Sequence, residues 1–166
     1  MYIFTPNTLI KSNEVNANFS ELKNKLDAIK VLRVYFNNGT STRSSTTSGV
    51  YATLPGAVGD VSYTAPVDVD IVFTMTAMMH QTGGAGRVVL RINSTNKIQA
   101  LYFDSIGGGW QIQSIQYPKH FLSAGETITI GAQWNTASGT FTCTNNNTDE
   151  QYPNEIIGIV LPKGLQ

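Results

Sequence analysis

The chain has 166 residues, enough for one domain with a buried core and a modest appendage. Eleven Lys and Arg balance eleven Asp and Glu, and charged residues are only 13% of the total, so there is no electrostatic footprint for nucleic acid or for an anionic membrane. A single cysteine, Cys143, excludes an internal disulfide framework and a thiolate metal cluster within one chain.

The opening Met1-Tyr2-Ile3-Phe4-Thr5-Pro6 lacks the basic segment and the long apolar core of a secretory signal. No stretch approaches the roughly 18 apolar residues of a membrane-spanning helix. The expectation is a chain made soluble in a cytoplasm, reaching the outside only by release.

Residues 12 to about 30 carry the one sustained helical signal. Val15, Phe19, Leu22, Leu26 and Ile29 recur at spacings of four, three, four and three, with Phe19 and Leu26 at heptad position a and the other three at d. Ser12 is the expected N-cap, and Glu14 sits where the helix dipole favours a carboxylate. The remaining faces are polar. Such a stripe is too narrow to bury one side of a helix against a globular core, yet it suits neighbours that are copies of itself. A helix of about 20 residues is marginal alone in water, so these five residues are the expected trimerisation seam. Leu at a with Ile at d leans away from a dimer. Packing of the helix back onto its own β body is the alternative.

Beyond the helix the period changes from 3.6 to 2. Residues 31–36 begin an extended run, and the Asn, Thr and Ser tract at 37–48 reads as a loop. Strands follow at 50–54, 60–64, 67–79, 87–93, 98–103, 110–117, 126–134, 139–144 and 155–161, separated by Gly and Pro punctuation. In the third of these Val67, Val69, Ile71, Phe73, Met75, Ala77 and Met79 face one way, with Asp68, Asp70, Thr74 and Thr76 on the other, solvent side. A parity break between Ile112 and Ile115 implies a bulge near Gln113 or Ser114. Cys143 alternates with Phe141 and reads as a small buried side chain. Many short, regularly spaced strands without βαβ alternation imply a mainly β chain, an antiparallel jelly-roll β-sandwich over residues 32–166 behind a helix at 12–31.

Nothing assembles a catalytic or metal site. His80 and His120 lie in different segments without other ligands at metal-binding spacing, and read as surface or loop-edge residues; only threefold symmetry would bring copies of one together. No serine sits in a nucleophile frame. Asp60, Asp104, Glu126, Asp149, Glu150 and Glu155 all stand beside turns and read as loop markers rather than a glycosidase pair. No cofactor, no metal and no enzymatic activity are expected. Tyr102, Trp110, Tyr117 and Tyr152 lie near turns and are the candidate ligand-contacting aromatics.

The segment from Phe4 to Leu22, with its Val15-Asn16-Ala17-Asn18-Phe19 phrase ahead of a leucine repeat, resembles the opening of tailed-bacteriophage fibre and other virion proteins. The stretches Phe121 to Ile130 and Ile157 to Pro162 look like the last strands of tumour-necrosis-factor-like or complement-head-like jelly rolls. Both families are trimers. The resemblance implies a homotrimeric virion surface protein, a capsid decoration or head-fibre protein or a short fibre, assembled in the host cytoplasm. Residues 1–11 would then dock on a phage capsid or tail protein through Tyr2, Ile3, Phe4, Leu9 and Ile10. The alternative is a receptor-binding tail spike or fibre tip gripping a host surface glycan or protein. Neither reading involves nucleic acid or membrane insertion.

Overall fold

The computed structural model describes residues 11–35, 40–44, 51–53, 60–82, 85–103, 111–136, 140–144 and 154–164. One helix, α1 (Ser12–Ala28), leads into β1 (Lys30–Tyr35), β2 (Thr40–Ser44), β3 (Ala52–Thr53), β4 (Val61–Thr64), β5 (Val69–Thr82), β6 (Ala85–Ile92), β7 (Thr95–Phe103), β8 (Gln111–Leu122), β9 (Thr127–Thr136), β10 (Thr140–Thr144) and β11 (Glu155–Pro162). They form two antiparallel sheets. The first runs β1-β11-β5-β10-β2 with β8 on the other edge of β5; the second runs β3-β9-β6-β7 with β4 also paired to β9.

The pairings nest. β1 pairs β11, β4 pairs β9, β5 pairs β8 and β6 pairs β7, so the chain folds as one long hairpin rolled over itself, which is the jelly-roll arrangement. Its core lies between the sheets. Ile71, Phe73, Met75 and Met79 of the first sheet and Leu90, Ile92, Ile128 and Ile130 of the second are fully buried, each contributing about 1.5–3 kcal/mol of transfer free energy. Val69 and Ala77 are buried beside them, and Val67 is partly buried against the same core, so the inward parity expected of this strand holds throughout.

Four local expectations are corrected. The polar tract at 37–48 contains β2, which pairs β10 residue for residue from Thr40 to Ser44. No bulge occurs at Gln113 or Ser114; the β5–β8 register runs unbroken from Met79 opposite Gln111 to Phe73 opposite Tyr117, and slips between there and Ile71 opposite His120. The extra residue thus falls at Pro118-Lys119, where proline has no N–H to give the ladder. Asp70, expected to face solvent, is buried and accepts a hydrogen bond from Lys119 Nζ at 2.8 Å. Lys11, not Ser12, is the N-cap residue, and it makes no side-chain cap.

Candidate self-association surface

The way α1 meets the β body decides what its apolar stripe is for. Ala28 is buried in the sandwich core, while Glu14, Asn18, Glu21 and Lys25, at spacings that place them above it on one line, are partly buried. Lys25 Nζ pairs with Glu21 at 3.0 Å and reaches the turn after β11, where it would lie 3.3 Å from a Cβ at Gly164. The Lys25 hydrogen bond holds the Glu21 carboxyl below its ordinary value. The helix therefore rests on its own body through a line that is polar except at Ala28.

The apolar line runs one residue later, about 100° round the helix, and is turned outward. Phe19 is 67% exposed, Leu22 44% and Leu26 55%, and Val15 is partly buried. The helix thus packs back onto its own β body, the alternative open from the sequence, but through Ala28 and the polar line, which leaves Phe19, Leu22 and Leu26 turned outward. Ile29, the last seam position expected, lies just past the helix in extended backbone with φ −65° and ψ 114°, and is also exposed.

The other candidate residues fare differently. Tyr2, Ile3, Phe4, Leu9, Ile10, Trp110 and Tyr152 lie outside the described residues, as does the side chain of Tyr102 in β7. Tyr117 is not at a loop tip. It stands within β8 opposite Phe73 and packs against the core, its ring centroid 6.3 Å from that of His120. His120, expected at the surface, also lies 6.5 Å from the Phe73 ring on the interior side of the sheet, and is partly buried. His80 lies in β5 opposite Thr142 and is partly buried. Cys143 lies in β10, its side chain outside the described ones. Among the described residues no group of three His, Cys, Asp or Glu could hold a metal ion, and no helix is long and apolar enough to cross a membrane.

Sequence reasoning missed the outer face of the first sheet, where Val31, Ile159, Leu161, Phe121 and Ile112 are exposed. The signal was available in β11. Its residues 156–161 are apolar or glycine without alternation, the pattern of a strand covered on both faces.

No family model matches the chain, and no curated protein matches it. Among solved structures, the Eiger TNF of S. frugiperda is similar at a TM-score of 0.46 and 9% identity, over 81% of this chain and 92% of that one. A structure of infectious bursal disease virus, Gx strain, is similar at a TM-score of 0.31 and 13% identity, over 81% of this chain and 37% of that one.

Proposed function

We propose that the chain is a non-enzymatic, homotrimeric surface component of a tailed-bacteriophage virion, a capsid decoration or head-fibre protein or a short fibre. One observation carries the self-association: the apolar stripe of α1 points away from its own body while a mostly polar line docks the helix. A short helix that leaves three large apolar side chains in water gains stability only when other helices cover them. The resemblance of the Phe4–Leu22 segment to trimeric fibre proteins supports three copies over two. The compact jelly roll, joined to the helix without a linker at Ile29, supports a head carried on a short stalk.

The virion assignment is supported by the Phe4–Leu22 resemblance to fibre and virion proteins. In this reading residues 1–11 attach the trimer to the particle. Deleting them leaves the trimer intact and abolishes incorporation into particles, scored by immunogold labelling of virions; unchanged incorporation refutes the attachment. The receptor-binding alternative loses Tyr117 as a contact, because that ring is packed inward.

A further inference from the structure

The outer face of the second sheet carries a polar row that the register defines. Arg87 of β6 lies opposite Asn135 of β9, and Tyr51 directly precedes β3, whose Ala52 lies opposite Trp134. Trp134 and Val88 belong to the core between the sheets, so their neighbours Asn135 and Arg87 point outward by alternation. β9 runs between β3 and β6, which sets the backbones carrying Tyr51 and Arg87 about 10 Å apart. Their side chains nevertheless meet, Arg87 Nη1 donating to the Tyr51 hydroxyl at 3.5 Å. The two therefore reach toward each other across β9, on the row that Asn135 occupies.

Beneath that bridge lies an orphan. Asn135 is 3% exposed, and its Nδ2 is buried without a hydrogen-bond partner. A buried amide donor left unpaired is costly, and its presence in a folded chain calls for an acceptor. Val89, two residues from Arg87 on the same face, is 1% exposed although it is not part of the core between the sheets. The row thus has an apolar floor beside it, where a hydrogen bond to a charged group is stronger than in water.

The donors select the ligand. Arg87 is a permanent cation with its N–H groups in a planar fork, Asn135 Nδ2 adds a neutral donor, and the Tyr51 hydroxyl can donate as well as accept. A carboxylate only accepts, and has room for about four hydrogen bonds. Among the described residues the nearest acidic side chain along β9 is that of Asp60, over Gly131, four residues and so about 13 Å from Asn135. Gln133, half-buried two residues along β9 on the same outward parity, and the partly buried Tyr51 ring add a neutral amide and a flat apolar surface, which suit a hydroxyl-bearing ring. We infer that Tyr51, Arg87 and Asn135 form a carboxylate-binding site for an acidic sugar. The carboxylate enters between Arg87 and Tyr51, replaces their contact, which is long for a hydrogen bond, and accepts from Asn135 Nδ2 below. The site lies within one protomer and does not depend on the homotrimer proposed above.

The test is a titration of the full-length, 15N-labelled chain with sodium glucuronate, followed through the side-chain amide resonances, with glucose, sodium acetate and inorganic phosphate as separate arms. Glucuronate is expected to shift the Asn135 side-chain amide and to bind at least about tenfold more tightly than glucose, as the loss of a hydrogen-bonded charge implies. Arg87→Gln is expected to weaken glucuronate by at least about tenfold while the far-UV circular dichroism is unchanged. An Asn135 amide unmoved by glucuronate overturns the site, and this readout on the wild-type chain decides the matter should Arg87→Gln fail to fold. Equal glucuronate affinity in a folded Arg87→Gln variant also overturns it. Acetate or phosphate binding as tightly as glucuronate shows a general anion site and overturns the acidic sugar.

Discussion

Phe19 and Ala28 stand nine residues apart on α1, about half a turn round from one another, and their exposures are 67% and 1%. The small residue is the one the helix gives to its own core; the large aromatic is the one it withholds. For a protomer in isolation this allocation is unfavourable, since burying a phenylalanine contributes far more than burying an alanine. It becomes favourable when the aromatic is buried between chains.

The first prediction follows from that allocation. Phe19→Lys and Leu26→Lys leave the far-UV circular dichroism of the β body unchanged, because neither side chain touches the sandwich core. Each is expected to shift the protomer's own denaturation by no more than about 0.5 kcal/mol, as surface substitutions do, while weakening association by at least about tenfold. Analytical ultracentrifugation beside a urea titration separates the two effects.

A second concerns the sandwich. A Cβ at Gly158 would lie 2.7 Å and 2.9 Å from two atoms of the Phe73 ring and 3.3 Å from Ile71 Cγ2. Phe73 is fully buried and cannot swing aside cheaply. Gly158→Ala is expected to destabilise the protein by about 1–3 kcal/mol, read as a lower midpoint in chemical denaturation. Gly164→Ala serves as contrast: there the strain comes from φ +81°, and the nearest contact, at 3.3 Å, is the far end of the flexible Lys25 chain.

How much of this was legible depended on which side chains signalled a face. The alternation in β5 declared its inward residues because a strand with one buried face repeats every two residues. β2 did not declare itself: Thr40-Ser41-Thr42-Arg43-Ser44 has no apolar member, and it is a strand because β10 offers it a ladder. The parity break at Ile112 and Ile115 marks two faces and not a bulge: Ile112 lies on the outer face opposite Met78, exposed, while Ile115 packs against the core. Of the helix stripe, Phe19, Leu22 and Leu26 are exposed on α1, Val15 is partly buried and Ile29 falls past the helix end; which side the body takes was not legible, since Glu14, Asn18, Glu21 and Lys25 read as solvent-facing. Their partial burial reflects the ion pair and the Ala28 anchor, which are tertiary facts.

A third prediction uses an unsatisfied group. The Tyr63 hydroxyl is buried without a hydrogen-bond partner, and burial raises its pKa. Tyr63→Phe removes a polar atom that is lost from water with no compensation. Stability is therefore expected to stay level or rise by up to about 1 kcal/mol, measured by thermal and urea denaturation. A marked loss would mean that the hydroxyl has a partner in solution.

The fourth concerns acid. The Glu21 carboxyl is held below its ordinary value of 4.5 by its hydrogen bond from Lys25. A depressed folded-state pKa contributes stability that is present above the unfolded value and is lost as pH falls through the folded one. Helical ellipticity is thus expected to decline as pH drops below 4.5, with Glu21→Gln showing a smaller decline over that window. Added salt should reduce the difference, because the pair remains partly exposed.

The most direct test of the account is the mass of the full-length wild-type chain in solution, by multi-angle light scattering across a dilution series. The account predicts a species of three times 18.0 kDa that persists on dilution and is lost in Leu26→Lys. A single 18.0 kDa species at every concentration would contradict it, because the outward stripe on α1 would then have no sister helices to cover it.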